Sequence, residues 1–513
     1  MDLDTLLQYD WAKMTPEFII LGVATLLSLL DMFMKKETNR VVLAYIGMLG
    51  IIAAFFFLIQ DIGQTPESIL FETFIVDGFS ILFQSLFLLG AFFVLLIAIH
   101  MDERTITQAY RGEFYYLMLA ALLGAMVLAS SADFITLFVG LELLSLSSYV
   151  LAGMNKRSIR SNEAAMKYLM NGGISSAILL FGISYVFGLT GTTNLFDIAR
   201  RLPEEAVMNH SLLLMIAFFM IFVGITFKIA TVPFHMWAPD VYEGAPTPVT
   251  AFLSVVSKAA GFAFLLRVYF TVFIFIPKGI DESGFVEWLL PSVQWMLLIV
   301  AALTMIIGNT VALKQTNLKR LFAYSSIAHA GYLLVPLVSF QENGANEFAF
   351  SSIWFYLLGY VVMNLGAFAV IHYVTMKEKD EQITSFHGLS KKAPFLSIVM
   401  TIFLLSLAGI PGTVGFMGKV WILIGALTEE QYILASIMIG TTVISYVYYF
   451  RLFVSMFFRP PLTANKITAP FTIILVAVLC AVGTILLGIF PQQALDLFQS
   501  AFQIENFFYF LSQ

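Results

Sequence analysis

Six ionisable side chains stand in stretches that offer a charge no water. Glu142 lies in FITLFVGLELLSLSSYVLAG, Lys167 in NEAAMKYLMNGG, and Lys228 and Lys258 in the apolar run 211–267. His329 follows in YSSIAHAGYLL, and Lys419 in AGIPGTVGFMGK. A charge at bilayer depth costs roughly 2.5–3.5 kcal/mol on insertion scales, so chance rarely leaves several. Lysine and glutamate taken out of water can each change protonation near neutral pH, and movement of one shifts the other. A Glu–Lys pair that opens and closes is therefore a proton switch. Lysine suits this better than arginine, because a buried ammonium can give up its proton. The competing reading is a static ion pair that fixes helix packing. One or two pairs would suffice for packing, and four or five polar sites along one plane exceed that need.

Two prolines interrupt the same stretches. Pro233 cannot donate to the carbonyl of Ile229, nor Pro411 to that of Leu407. Gly409, Gly412, Gly415 and Gly418 loosen the turns before Lys419. Either break could be an ordinary proline kink, yet unwound backbone at this depth is tolerated only inside protein or beside water. An ammonium next to hydrated backbone accounts for both features together.

The elements that must position these residues are membrane helices. The chain has 513 residues, 59% hydrophobic and 12% charged, with mean hydropathy +0.89. Apolar runs recur at 17–34, 40–60, 75–99, 113–130, 132–153, 162–189, 211–232, 248–271, 288–310, 318–340, 347–375, 394–426, 430–457 and 467–490. Each is long enough to cross a bilayer. The twelfth is too long for one straight helix, and AGIPGTVGFMGK breaks it. The reading is an all-α polytopic membrane protein of about 14 transmembrane helices. Strand-like alternation is absent, which excludes a β-barrel. Residues 17–34 lack a cleavage site and read as a retained span.

Net charge is −6 with no basic run, so nucleic acid is not expected as a partner. Cys480 is the one cysteine, and the six histidines show no metal or haem spacing. The Phe and Met residues read as lipid-facing and packing groups, and Gly172-Gly173 as a close helix contact. His235 and Asp240 read as a turn, with a role in proton entry as the alternative, and residues 492–513 as a short interfacial tail.

Charge sets the orientation. Of the 27 Lys and Arg, eighteen fall on loops after odd-numbered spans and four on the opposite side. The positive-inside rule then places both termini on the outer side. Spans four to eight and nine to thirteen form two groups of five. An odd number of crossings makes any such repeat inverted, with the discontinuous helix fourth in each. The expected divisions are 1–112, three helices; 113–271, the first repeat; 288–457, the inverted second; and 458–513, the last helix and tail.

Long segments then resemble one family. GITFKIATVPFHMWAPDVYEGAPTPVTAFLSVVSKAAGFAFLLR, LFVGLELLSLSSYVLAG, SNEAAMKYLMNGGISSAILLFG, LKRLFAYSSIAHAGYLLV and LAGIPGTVGFMGKVWIL are similar to the antiporter-like membrane subunits of proton-translocating NADH–quinone oxidoreductase, respiratory complex I. Within that family Lys419 argues against the sibling that carries glutamate there, and the chain after residue 491 leaves no room for a lateral helix. The resemblance implies a hetero-oligomer with other complex I membrane subunits in the bacterial plasma membrane. It implies no cofactor in this chain, with NADH, FMN, iron–sulfur clusters and quinone in partner subunits. It also implies roles: Glu142 and Lys228 as the fifth- and seventh-span pair, Lys167 as the sixth-span lysine, and Lys258 and His329 as links to Lys419 at the exit. A subunit of a multi-subunit cation/proton antiporter, and a structural anchor, are the alternative readings.

Overall fold

A computed structural model describes residues 9–35, 38–101, 110–204, 210–275, 277–280, 286–288, 290–340, 346–462 and 466–511. Lys36 and Arg104, two of the loop charges used above, lie outside the described residues.

The chain is a bundle of helices. They are α1 (Thr15–Phe33), α2 (Val41–Leu58), α3 (Gly78–Ala98), α4 (Arg111–Ser130), α5 (Phe134–Ala152), α6 (Ile159–Thr190) and α7 (Ser211–Ile229). After a short helix α8 (Trp237–Gly244) come α9 (Thr247–Phe275), α10 (Leu290–Ala312), α11 (Leu318–Val338) and α12 (Asn346–Glu378). The twelfth apolar run is two helices, α13 (Pro394–Ala408) and α14 (Val414–Thr428), followed by α15 (Tyr432–Phe458), α16 (Phe471–Ile489) and α17 (Pro491–Ala501). Among the described residues thirteen helices are long and apolar enough to cross a membrane. With the divided twelfth run they reproduce the fourteen expected spans. Among the described residues, strands occur only as two short antiparallel hairpins, Glu67–Ile69 with Phe74–Val76 and Pro277–Ile280 with Val286–Trp288.

Polar residues at the helix starts explain where the spans begin. Asp77 caps α3 in a capping box with Ser80, and Asp133 accepts from the amides of Ile135 and Thr136 at the start of α5. Asn317 does the same for Arg320 at the start of α11. Such side chains satisfy amides that helix geometry leaves unpaired.

The bundle is layered by burial. In the central helix α9 the whole apolar window is buried, and in α11 and α12 94% of it is. The outer α1 and α2 expose Leu21, Phe33, Leu49 and Phe56, an apolar surface suited to lipid or to other membrane chains. Most of the ionisable groups picked out above are carried by the innermost helices and the elements packed on them.

Two features differ from expectation. The tail is not a loose interfacial segment. Phe498, Phe502 and Phe507 are buried, Phe498 lies 5.5 Å from Trp354 and Phe507 5.4 Å from Phe79, centroid to centroid. Its aromatic spacing lets it fold back over the start of α3. Asp77 and Arg267 lie close enough to span ends that snorkelling to water is expected of them; instead they form a buried bidentate pair at 2.5 and 3.0 Å. Arg267 also donates to the carbonyl of Ala129 and lies 4.4 Å from the Phe79 ring and 5.1 Å from that of Phe507. The tail closes off the water that snorkelling would need.

Candidate functional site

The first break is a Schellman motif. At the end of α7 the amide of Ala230 donates to Phe227 O and that of Thr231 to Thr226 O, both at 3.1 Å. Ala230 takes a left-handed conformation, φ +58, which costs a residue with a Cβ about 1–2 kcal/mol. The helix thus ends before Pro233 is reached, and the proline only prevents it from resuming. Outside side chains hold the opened backbone: the Trp237 indole N–H donates to Phe227 O at 3.0 Å, and Thr304 Oγ1 accepts from the Val232 amide at 3.0 Å.

Lys228 is in the last turn before this break. Its Nζ donates to Ser145 Oγ at 3.0 Å, and Ser145 in turn donates to Leu141 O at 2.7 Å. Glu142 is one helical turn before Ser145 on α5, and its carboxylate accepts a short hydrogen bond from Ser176 Oγ of α6. Glu142 and Lys228 make no ion pair within 4.0 Å. A cavity of about 10 Å³, lined by Ser145, Tyr149, Ser176 and Lys228, lies beside Lys228 and has the serine bonded to Glu142 in its wall, close to the space one water molecule needs. Gly172 faces the Tyr149 hydroxyl too closely for any Cβ, while Gly173 faces open space. Close packing therefore explains the first glycine alone.

Lys258 follows a π-helical turn, Leu253–Ser257, within α9. Such turns place an extra residue in a helix and recur at functional sites. The Asn364 side chain donates to Ser254 Oγ at 3.0 Å inside this turn. Lys258 Nζ makes short hydrogen bonds to Ser326 O and Oγ, and the Tyr242 hydroxyl lies 3.5 Å from the same Oγ. Gly261, one turn on, faces Lys228 Cγ and Ile229 Cγ2, so a side chain there would separate α9 from the Lys228 turn.

From Ser326 a polar row continues along α11 at three-residue spacing. His329 Nδ1 is 2.6 Å from the Tyr356 hydroxyl and Nε2 is 3.4 Å from that of Tyr449. Tyr332 accepts from Asn309 Nδ2 at 3.1 Å, and Tyr448 donates to Asn309 Oδ1 at 3.0 Å. Lys419 Nζ lies 5.0 Å from the centre of the Tyr332 ring, a cation–π distance.

The second break has the same closure. The Gly409 amide donates to Ser406 O and that of Ile410 to Leu405 O, both at 2.9 Å, with Gly409 at φ +87. Lys419 Nζ reaches back from α14 to Leu407 O at 3.1 Å and Ala408 O at 3.2 Å. Leu407 is the carbonyl expected to be free opposite Pro411.

Lys167 stands apart from these groups. It pairs with Glu163 and with Asp240 of α8, each at 2.6 Å. Arg320 of α11 holds the other oxygen of Asp240 at 2.6 Å and Glu243 at 3.0 Å. A crevice of about 170 Å³ runs past Arg160, Glu163, Asp240, Glu243 and Arg320. Burial alone would raise the Asp240 carboxyl, but the Lys167 and Arg320 hydrogen bonds hold it below its ordinary range. It is a fixed negative charge at neutral pH. Among the described residues no three His, Cys, Asp or Glu converge as metal ligands.

Lys258, His329 and Lys419 thus lie along one polar row, Lys228 and Glu142 approach each other through Ser145, Ser176 and a water-sized gap, and Lys167 belongs elsewhere. Sequence reading missed Ser145, Ser176, Ser326, Tyr332, Tyr356 and Tyr449. Their one available signal was spacing, since Ser145 follows Glu142 by three, and Ser326 and Tyr332 flank His329 by three.

Comparison with known proteins identifies the family. A protein of Anoxybacillus flavithermus named NADH-quinone oxidoreductase subunit N is 52% identical over 98% of this chain and 99% of its own length. A chain of respiratory complex I from Thermus thermophilus with bound aureothin superposes with a TM-score of 0.78 at 31% identity, covering 95% of this chain and 100% of that one. A chain of the Mrp complex from Dietzia sp. also reaches 0.78, but at 18% identity, over 100% of both chains, and shows the fold alone. Residues 131–445, which span every ionisable group discussed here from Glu142 to Lys419, match the family described as NADH:quinone oxidoreductase/Mrp antiporter, TM, and the chain belongs to that family.

Proposed function

We propose that this chain is a proton-translocating membrane-arm subunit of an NADH–quinone oxidoreductase. The observation that carries the reading is the buried row Lys258–Ser326–His329–Tyr332–Lys419, in a chain 52% identical to a subunit N. Each member of that row can hold or pass a proton. An ammonium donates, a serine or tyrosine hydroxyl both accepts and donates, and an imidazole takes a proton at one nitrogen and releases one at the other. Quinone reduction in partner subunits perturbs Glu142 and Lys228 through Ser176, Ser145 and the water-sized gap. The proton then passes by way of Lys258 and His329 to Lys419. The helix of Lys258 packs on the Lys228 turn at Gly261.

The rest of the arrangement follows. The protein sits in the bacterial plasma membrane with both termini on the outer side, as the lysine and arginine distribution supports. Residues 113–271 and 288–457 act as two inverted half-channels, which the matching closures at Ala230 and Gly409 support. NADH, FMN, the iron–sulfur clusters and quinone are held by partner subunits. Lys167 shapes the entry side and does not carry the transferred proton.

Replacing Lys228 or Lys419 with alanine in the assembled complex is expected to impair NADH-driven proton pumping, measured in inverted membrane vesicles. Full proton stoichiometry with both replaced would overturn the reading. The fold shared with an Mrp complex favours one alternative, a subunit of a multi-subunit cation/proton antiporter. Ion exchange by the purified chain alone in liposomes would support that alternative.

A further inference from the structure

Helix α8 is eight residues long and has two dissimilar faces. Its buried face carries Trp237 and Tyr242. Trp237 stacks on Tyr168 of α6 at 4.5 Å and 7° and donates to Phe227 O, the carbonyl next to Lys228. Tyr242 reaches Ser326 Oγ, which accepts the Lys258 ammonium. One short helix thus touches the immediate surroundings of two ammoniums that have no common hydrogen-bond partner of their own.

The opposite face is held by charge from both sides of the molecule. Asp240 Oδ2 meets Lys167 of α6 and Oδ1 meets Arg320 of α11, each at 2.6 Å. Lys319, one residue before Arg320, donates to Ala245 O at the end of α8 at 3.0 Å. Gly244 packs against Ala164 so closely that a Cβ would stand 2.6 Å from the Ala164 Cβ. A helix this short is marginal by itself, so its placement depends on these contacts. Two carboxylates of α8 engage both helices, Asp240 and Glu243, which meets Arg160 of α6 at 3.4 Å and Arg320 at 3.0 Å; Asp240 holds the shorter contacts, 2.6 Å on each side.

We propose that Asp240 is a positioning residue for proton transfer between Lys228 and Lys258. By tying α8 to Lys167 and Arg320 together, it keeps Trp237 on the Phe227 carbonyl and Tyr242 on Ser326. This inference rests on the function proposed above and adds a residue that touches neither ammonium. It also gives Lys167 a definite task, as one of the two cations that fix Asp240. A loss of alignment of about an ångström between transfer partners is enough to slow a reaction on the order of a hundredfold, so loosening α8 has a measurable consequence.

The test compares D240N, D240E, Y242F and D240N/Y242F in the assembled complex, with subunit content checked by native electrophoresis. Proton uptake per quinone reduced is read in inverted membrane vesicles. D240N is expected to lower uptake about tenfold, D240E to restore most of it, and Y242F to lower it by itself. The double variant is expected to be no worse than the poorer single one, since both act through the Tyr242–Ser326 contact. Wild-type uptake in D240N, failure of D240E to restore, or multiplied losses in the double variant would overturn the proposal. If D240N does not assemble, K167Q carries the test, because it removes one tie and leaves Asp240 paired with Arg320. A loss rescued by K167R supports the proposal, and unchanged uptake overturns it. K228A is measured in parallel. Full pumping by K228A would bring down the functional reading itself, whereas a silent K228A beside a normal D240N sinks only the role of Asp240.

Discussion

The two helix breaks close in the same way and use their lysines differently. At Ala230 and at Gly409 the chain leaves the helix through the same pair of hydrogen bonds, with that residue itself left-handed. Lys228 precedes its break and turns to a side chain, Ser145 Oγ. Lys419 follows its break and turns to backbone, the carbonyls of Leu407 and Ala408. Those carbonyls belong to the negative end of α13, which favours a cation without any side chain being present. One ammonium therefore rests on a group that mutation can delete, and the other on groups that mutation cannot remove. The first is the adjustable site, and it is also the one beside Glu142.

The largest expected effect follows from that asymmetry. S145A removes the one hydrogen bond that the Lys228 ammonium makes to another residue among the described residues. A hydrogen bond to a charged group is worth about 1.5–3 kcal/mol, which corresponds to roughly ten- to hundredfold in an equilibrium or rate. NADH-driven pumping in the S145A complex is expected to fall by that order, with S145T recovering much of it. Wild-type pumping in S145A would show that the hydroxyl does not hold Lys228 and would erase the contrast between the breaks.

A smaller effect is expected at the second break. Gly409 is at φ +87, and an ideal Cβ there would be 3.1 Å from Lys419 Cδ and 3.3 Å from its Nζ. G409A therefore combines about 1–2 kcal/mol of left-handed strain with pressure on the ammonium. The complex is expected to melt at lower temperature and to pump less, the second loss exceeding what the melting shift explains. If G409A pumped normally, the backbone carbonyls would not be what holds Lys419.

The same two breaks show what could be read from sequence. Membrane spans were legible because twenty apolar residues leave few alternatives, and the buried ammoniums were legible as exceptions to that pattern. Gly409 announced its turn, because glycine is the usual left-handed cap. Ala230 announced nothing, and the break was assigned to Pro233, three residues late. Ser145, Ser176 and Ser326 were invisible for a different reason. A serine can satisfy its hydroxyl on its own helix backbone, so its presence in a span carries no warning of a partner. Lys167 was grouped with the buried lysines because its stretch is apolar, while Asp240 sits on an eight-residue helix too short to register as a span. Arg267 and Asp77 were read as near enough to water, which a tail more than two hundred residues later in the chain then excludes.

The smallest effect sharpens the comparison most, because it separates pumping from stability, which G409A lowers together. Ala230 already bears the left-handed strain that alanine at 409 would introduce, so A230G relieves about 1–2 kcal/mol. Against this, glycine loses more chain entropy on folding, about 0.5–1 kcal/mol. The Ala230 methyl is also buried, at 2% exposure, and its removal gives up about 0.8 kcal/mol. These terms nearly cancel, and the melting temperature of the complex is expected to stay within the shift that 1 kcal/mol produces. Glycine also widens the conformations open to the segment that carries Thr231 and Val232 toward Trp237. Pumping is therefore expected to fall slightly while stability holds, a separation that G409A does not show. A loss of stability in A230G as large as that in G409A would mean that the Ala230 side chain, and not the backbone closure, maintains the first break.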